Sequence, residues 1–360
     1  MSEAINLRIL RWFATRWQPV IAAALTVTVG LCVSGCAGRE QAPPPPPEIF
    51  WPSPPAVKRI EFVRTVSKPG DLNIRSGLLK RLVRYVVGKH AASLVSPYGL
   101  AIDSRGRLYV VDTFLKRIHV FDAAGNRYYA FPDDSAMLAS PIGIAVDPGG
   151  SVYVSDSKKA VVCIFEDYGK KFLTAIGGGL LQRPTGIAVN HKTGELLVVD
   201  TLQSRVFRFD LASRSLKGFF GTEGAAEGMF HYPTYICVTG TGAIIVSDAL
   251  NFRVQVFSPE GRFRFSFGRM GNTPGTFSRP KGVACDSDGN IYVVDALFDN
   301  IQVFDKNGRL LMAFGDHGTA YGSFWLPTGL YIDNNDLIYV SDSSNRRGQI
   351  FRYLKEGRTE

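Results

Sequence analysis

The sequence predicts an all-β protein folded as a six-bladed β-propeller, with four antiparallel strands in each blade. Two observations predict this fold: one unit is repeated six times, and each copy carries strand patterns separated by short polar turns. The unit starts with a proline and an apolar run, and it recurs at intervals of 43 to 49 residues. A period of about 40 to 50 residues with four strands per unit is typical of propeller blades. The six copies begin at Pro97, Pro141, Pro184, Pro233, Pro280 and Pro327.

Each copy contains runs rich in β-branched and aromatic residues, which favour extended backbone. The turn after the first run, such as residues 103–106 (Asp-Ser-Arg-Gly), opens with Asp and contains a Gly that tolerates positive φ. The second run ends in an aspartate in every copy. Because all copies share it, we predict that this aspartate caps the following turn and has no acid–base role. The six are Asp112, Asp156, Asp200, Asp248, Asp295 and Asp342.

The two ends of the repeat array predict how the ring closes. The sixth copy ends near Leu354 after three strands, while residues 58–66 show the alternation of the missing fourth strand. We predict that this N-terminal strand joins blade six and removes an unpaired sheet edge. The propeller domain then covers residues 57–360, with its repeats in residues 94–354.

Residues 76–89 interrupt the strand patterns and predict a short helix. On a helix, leucine and valine side chains share one face, whereas Lys80, Arg81 and Arg84 share the other. A surface helix packed on the ring explains this pattern. Contact with anionic lipid or an acidic partner is the alternative.

The N-terminus predicts a lipoprotein. Residues 1–35 have the basic start and short apolar run of a secretory signal peptide, and they end in Val-Ser-Gly before Cys36, which resembles a bacterial lipobox. That resemblance implies that Cys36 is lipidated; an ordinary signal with an unused cysteine is the alternative. Residues 36–56 are rich in proline and predict an extended tether. Ala37 lacks the charge that retains many Gram-negative lipoproteins at the inner membrane, so we expect the outer membrane, with the domain facing the periplasm or the surface.

The distribution of charge argues against nucleic acid as a partner. The net charge is +9, but residues 58–90 hold nine Lys and Arg against two Asp and Glu, and residues 91–360 are nearly neutral. A general nucleic-acid surface needs basic residues spread over the body of the protein.

The cysteines of the body, Cys163, Cys237 and Cys285, lie in strand patterns without a CxxC pair, so we predict buried, reduced thiols.

One segment carries a family resemblance. Residues 251–257 read Asn-Phe-Arg-Val-Gln-Val-Phe, which resembles the core of the NHL repeat. The resemblance extends over residues 94–354 and implies a six-bladed propeller of the bacterial lipoprotein type. It indicates a fold more strongly than a function.

Catalytic residues are not predicted. Peptidylglycine-amidating lyases resemble NHL proteins but need several histidines on one metal, and here His231 and His317 alone fall in comparable inter-blade loops. No GxSxG, HExxH or phosphate-loop motif occurs, and no CxxCH motif for c-type haem. We therefore predict no cofactor and no metal site. A metal-dependent lyase-like or lactonase-like enzyme, with its site in the central channel, remains the alternative.

Two groups of side chains are candidates for binding. Tyr235 replaces the glycine of the other innermost strands, so it fills the channel or contacts a ligand there. Apolar residues in the turns after the second strands and in the inter-blade loops form a second group, which either packs between blades or makes an apolar binding face. These are Phe114, Leu202, Met229, Leu250, Leu297, Tyr321 and Trp325.

For the recurring arginines we predict pairing with a neighbouring blade, with anion binding as the alternative. These are Arg117, Arg205, Arg253 and Arg347.

Taken together, these features predict a non-enzymatic propeller that binds or scaffolds proteins at a bacterial cell envelope. NHL lipoproteins of this appearance occur in bacteria with elaborate envelope electron transfer, so the resemblance suggests multihaem cytochromes as partners. RNA binding, known for some animal NHL proteins, conflicts with the neutral body and the secretion signal.

Overall fold

The fold is known from a computed structural model that describes residues 47–53, 55–74 and 92–355. Within these residues, strands form six antiparallel sheets, and the helical elements are short 3₁₀ turns at Pro69–Leu72, Asp167–Gly169 and Ala249–Asn251. In this part of the chain, no helix has the length and apolar character needed to cross a bilayer. The predicted six-bladed all-β propeller is confirmed.

The strands are numbered in chain order. Two N-terminal strands are β1 (Phe50–Trp51) and β2 (Ile60–Val66). Blade one contains β3 (Pro97–Ile102), β4 (Leu108–Asp112), β5 (Arg117–Asp122) and β6 (Arg127–Phe131). Blade two contains β7 (Pro141–Val146), β8 (Val152–Asp156), β9 (Val161–Glu166) and β10 (Lys171–Ile176). Blade three contains β11 (Pro184–Asn190), β12 (Glu195–Asp200), β13 (Arg205–Asp210) and β14 (Leu216–Phe220).

Blade four contains β15 (Pro233–Val238), β16 (Ile244–Asp248), β17 (Arg253–Phe257) and β18 (Phe263–Phe267). Blade five contains β19 (Pro280–Cys285), β20 (Ile291–Asp295), β21 (Asn300–Phe304) and β22 (Leu310–Phe314). Blade six contains β23 (Pro327–Ile332), β24 (Leu337–Asp342) and β25 (Arg347–Tyr353).

The first strand of each blade lies innermost, and successive innermost strands contact one another around the ring until β23 meets β3. Neighbouring strands in a blade run in opposite directions. The turns between second and third strands therefore share one face of the ring with the inter-blade loops. We call this the loop face; the other turns lie on the opposite face.

The N-terminal strands belong to blade six. β2 pairs antiparallel with β25, so that Ile60 lies opposite Tyr353 and Val66 opposite Gly348. β1 pairs with the outer side of β2. The sheet order is β1-β2-β25-β24-β23, which places N-terminal and C-terminal segments side by side.

The segment predicted as a tether, residues 36–56, includes β1 at its described end. The Trp51 side chain packs β1 against the ring, because its aromatic ring lies 5.7 Å from the rings of both Phe314 and Phe351. The predicted signal peptide (1–35), the lipidation site Cys36 and the predicted helix (76–89) lie outside the described residues.

Phenylalanines fill the spaces between blades. The last core residue of most third strands is a phenylalanine that is almost wholly inaccessible to solvent, as in Phe121, Phe257 and Phe304. Neighbouring rings pack closely; those of Phe267 and Phe304 are 4.6 Å apart. Full burial of each such side chain contributes roughly 1.5–3 kcal/mol.

The three cysteines of the described blades are free. Cys163 is buried, as predicted. Cys237 and Cys285 are only partly buried, and both lie on innermost strands.

Candidate binding face and central channel

The repeated aspartates hold the loop face together. One carboxylate oxygen of Asp112 accepts a 2.7 Å hydrogen bond from the N–H of Val95 in the incoming loop, and the other accepts one of 2.9 Å from Leu115 in the following turn. All six aspartates are buried and accept bonds from the incoming loop. Each therefore joins an inter-blade loop to a turn, which extends the predicted capping role. Burial raises the pKa of Asp248 and Asp342, although their hydrogen bonds oppose that rise.

Two of the four predicted arginines, Arg253 and Arg347, pair with a carboxylate of their own blade. The Arg253 guanidinium donates to Asp248 over 2.8 Å, and that of Arg347 donates to Asp342 over 2.7 Å. The predicted pairing with a neighbouring blade is wrong at both positions. The reason is the strand register, which places the last residue of the second strand directly opposite the first residue of the third.

Three inter-blade loops share a design that the sequence analysis missed. They span residues 221–232, 268–279 and 315–326 and lead into blades four, five and six. In the loop before blade four, the Gln255 side chain accepts a bond from the N–H of Gly228 and donates to the carbonyl of Met229. Gln302 and Gln349 hold the other two loops from the equivalent positions. The buried anchors are Phe230, Phe277 and Phe324.

The signal for these loops was present in the sequence. Each has glycines at the same spacing, followed by Phe two residues after the last glycine, and each precedes a strand containing Gln-Val-Phe or Gln-Ile-Phe. Aligning the loops to each other, in addition to the strands, would have revealed them.

All seven apolar candidates are exposed on the loop face. Their exposed fractions run from 36% for Met229 to 72% for Phe114. None of them is therefore buried between blades, although the Tyr321 ring lies 5.3 Å from that of Phe62 on β2. Three further exposed apolar residues lie on the same face and were missed, namely Tyr232, Met270 and Leu326.

Trp325 and Leu326 are held by carboxylates on both sides. Asp342 accepts a 2.8 Å bond from the N–H of Trp325, and Asp299 of blade five accepts a 2.6 Å bond from that of Leu326. The other oxygen of Asp299 lies 2.7 Å from Nδ1 of His317, whose ring packs edge-on against Trp325. Leu326 has a φ of 51°, a left-handed conformation that a branched side chain rarely adopts without such support.

Tyrosines fill the centre of the ring. The rings of Tyr98 in blade one and Tyr235 in blade four, which lie opposite each other in a six-bladed ring, are stacked with centroids 5.9 Å apart. Lys281 donates a 3.1 Å hydrogen bond to the Tyr98 hydroxyl. Tyr235 is buried, and burial raises its pKa well above the usual value. Tyr98 and Lys281 were missed, although each is unusual between the proline and glycine of its repeat.

The histidines are dispersed. His119 is buried in blade one, where its Nδ1 lies 2.7 Å from the Tyr128 hydroxyl, and burial lowers its pKa to about 4. His231 and His317 lie in different loops of the loop face. Across residues 47–53, 55–74 and 92–355, no group of three or more His, Cys, Asp or Glu side chains is arranged to hold a metal ion.

Two family models match parts of the chain. One, described as a 6-bladed beta-propeller, matches residues 223–297, and the blades counted above give the same number; the chain is a six-bladed β-propeller. The second, described as NHL repeat, matches residues 138–165. An NHL repeat is therefore shown over residues 138–165.

A curated relative shares a short stretch of sequence. The B-box type zinc finger protein ncl-1 of Caenorhabditis elegans is 50% identical over 46 residues, which are 13% of this chain and 5% of that protein. The similarity thus has about the length of one blade and covers a small part of the relative.

Two solved structures share the architecture. An auxiliary nutrient binding protein from Bacteroides thetaiotaomicron is 14% identical, with a TM-score of 0.58 over 73% of this chain and 71% of that one. Virginiamycin B lyase from Staphylococcus aureus is 14% identical, with a TM-score of 0.52 over 72% of this chain and 96% of that one. At such identities the likeness concerns the fold alone, and this fold carries both binding and catalysis.

Proposed function

We propose that this protein is a non-enzymatic propeller that binds a protein partner through its loop face. The observation that carries the proposal is the set of exposed apolar side chains on that face, the seven predicted candidates with Tyr232, Met270 and Leu326. Exposed apolar side chains that gather on one face of a domain commonly mark an interaction site. Aromatic side chains such as Trp325 and Tyr321 are the type that contributes most to protein–protein binding.

The way these side chains are held supports recognition. The buried aspartates and the three glutamines fix the loops before any partner arrives. A surface that is already ordered loses less conformational entropy when it binds. Sequence variation among the loops, over strands that repeat, then sets specificity without disturbing the core.

The sequence supports a proposal for the location and for the kind of partner. We propose that Cys36 carries the lipid, that the protein resides at the outer membrane, and that its partner is a protein of the envelope, with multihaem cytochromes of an electron-transfer complex as the first candidates. The runner-up is a metal-dependent lyase-like or lactonase-like enzyme. Its expected site, the central channel, is occupied by the Tyr98 and Tyr235 rings at the level of these residues.

Site-specific photocrosslinking in the native bacterium tests the binding proposal. A photoreactive amino acid is placed at Phe114 or Trp325 on the loop face, and at Leu311 on the outer strand β22 as a control. Leu311 is also exposed, at 56%, so accessibility is matched. We expect the two loop-face positions to capture the same protein and Leu311 not to capture it. Equal capture from all three positions, or none from the loop face, contradicts the proposal.

A further inference from the structure

Two cysteines meet across the boundary between blades four and five. Cys237 lies on β15 and Cys285 ends β19, and these innermost strands are neighbours in the ring. Both side chains pack against the same apolar cluster. They are distant in sequence and belong to no motif, so the fold alone brings them together.

Their positions are unusual within the repeats. Cys237 takes the place of an alanine found in four other blades, and Cys285 takes the place of a valine or isoleucine found in the others. In the other blades alanine, valine or isoleucine is sufficient for packing at most of these positions. The pair of thiols on facing strands therefore occurs only at the boundary between blades four and five among the described blades.

The same boundary differs from the others in its packing. At the other five, a glycine lets the next blade approach so closely that an added Cβ would overlap its backbone; at Gly329 it would lie 1.9 Å from the Tyr98 carbonyl oxygen. Blade four has Tyr235 at this position. Ser247 still bonds across the boundary, its hydroxyl donating to the Lys281 carbonyl over 2.6 Å. A covalent link would reinforce the boundary that lacks the glycine contact.

We propose that Cys237 and Cys285 form a reversible disulfide that links blades four and five, with a small-molecule or protein disulfide as the oxidant. The Cys237 thiolate attacks one sulfur of the oxidant, forms a mixed disulfide and releases the first thiol. The Cys285 thiolate then attacks Cys237, forms the inter-blade bond and releases the second thiol. The two cysteines lose two electrons and two protons, and the oxidant becomes two thiols.

The order of these steps follows from the surroundings of the two thiols. The neighbouring Cys237 thiol and burial raise the pKa of Cys285 well above its usual value. A high pKa reduces the thiolate fraction, so Cys285 is suited to the second, intramolecular step. Both residues lie toward the ends of their strands that lead to the opposite face, away from the loop face. The proposal is thus independent of partner binding.

Incubation of the full chain with excess oxidised glutathione, followed by alkylation, trypsin digestion and mass spectrometry, tests the proposal. We expect a linked pair of peptides, residues 218–253 and 282–306, that disappears on reduction. The melting temperature should rise by about 5 °C or more on oxidation, since the link closes a loop of about 50 residues.

Cys237→Ser and Cys285→Ser should each abolish the linked peptides and the shift in melting temperature, whereas Cys163→Ser should retain both. Recovery of both peptides fully alkylated after oxidation, or peptides linked equally to Cys163, overturns the proposal. If Cys237→Ser fails to fold, the peptide analysis of the wild-type chain and of Cys163→Ser still decides the question.

Discussion

The carboxylate of Asp299 in blade five accepts a 2.6 Å hydrogen bond from the backbone of Leu326, at the end of the loop that enters blade six. The same carboxylate contacts His317 at the beginning of that loop. One buried side chain thus holds both ends of the loop that presents Trp325. This turn-to-loop bond reaches across a blade boundary, so it couples the shape of the binding face to the assembly of the ring.

Replacing Asp299 by alanine should therefore affect both stability and binding. The change leaves the Leu326 N–H without its acceptor, which costs about 1–3 kcal/mol in the free energy of unfolding. We also expect weaker partner capture, because Trp325 loses its fixed position. Urea unfolding and crosslinking yield measure the two effects. Lys306→Ala, in an exposed turn of the opposite face, is the control and should change neither; an unaltered Asp299→Ala protein would contradict the role given to Asp299.

Combining Trp325→Ala with Leu297→Ser should abolish partner recovery. Both side chains are about half exposed, so their loss should lower the free energy of unfolding by less than the roughly 3–5 kcal/mol that truncation of a fully buried large side chain costs. Loss of apolar anchors in an interface commonly costs 2 kcal/mol or more in binding. Pull-down and thermal melting on the same protein separate the two effects, with Leu311→Ser as control. Reduced stability with retained binding would remove this face from consideration.

Removing the N-terminal strands should destabilise the ring. A chain starting at residue 70 lacks the buried Ile60, Phe62 and Val66, each of which contributes roughly 1.5–3 kcal/mol by burial. It also exposes the edge of β25 to pairing with other chains. Thermal melting and light scattering should show a lower melting temperature and aggregation, compared with a chain starting at residue 47. Identical melting of the two chains would show that β2 is dispensable.

His119 should make stability depend on pH. Its pKa is about 4 in the folded state, whereas the unfolded value is about 6.5, so the unfolded chain binds the proton more readily. Stability is complete above about pH 6.5 and falls as the pH drops toward 4, by roughly 2–3 kcal/mol at pH 4.5. His119→Gln introduces the residue that blades four to six carry here and should remove this part of the decline. Urea unfolding at pH 7.5 and 4.5 measures it; an equal decline in both proteins would exclude His119 as the cause.

Cys36→Ala should release the protein from membranes. Three acyl chains, each contributing about 0.8 kcal/mol per buried methylene, anchor a protein stably in a bilayer. The Cys36→Ala polypeptide would lack this contribution to membrane binding. Detergent-phase partitioning of cell extracts is the measurement, and Cys32→Ala is the matched control because it lies four residues earlier. Unchanged partitioning of the Cys36→Ala protein would refute the assignment.

The repeat pattern alone was enough to predict the six blades, because the period, the strand runs and the turn residues all indicate the same architecture. The placement of the apolar candidates on the loop face also followed from repeat position, whereas their exposure did not, because packing between blades was an open alternative. Phe114 and Leu297 come two residues after an aspartate that ends a second strand, and this places them at the tip of a turn. Local sequence determines such positions, so they can be predicted without knowing which residues of different blades contact each other.

Features that depend on contacts between blades could not be predicted in the same way. The stacking of Tyr98 on Tyr235 joins residues of opposite blades, and Asp299 reaches a loop 27 residues away. The arginine pairing was wrong because strand register within a blade decides which carboxylate is nearest. β1 was assigned to a tether because a two-residue strand among prolines has no periodicity; its place comes from the fit of Trp51 between Phe314 and Phe351.

The pairing of β2 with β25 also imposes an order on biosynthesis. The ribosome synthesises Ile60 almost three hundred residues before Tyr353. β2 therefore stays unpaired until β25 has been synthesised. Until the last strand emerges, the nascent chain has no complete sixth blade and no closed ring. If the chain is exported as proposed, this delay keeps the ring open during transfer, since the ring can be completed only when the whole chain lies on one side of the membrane.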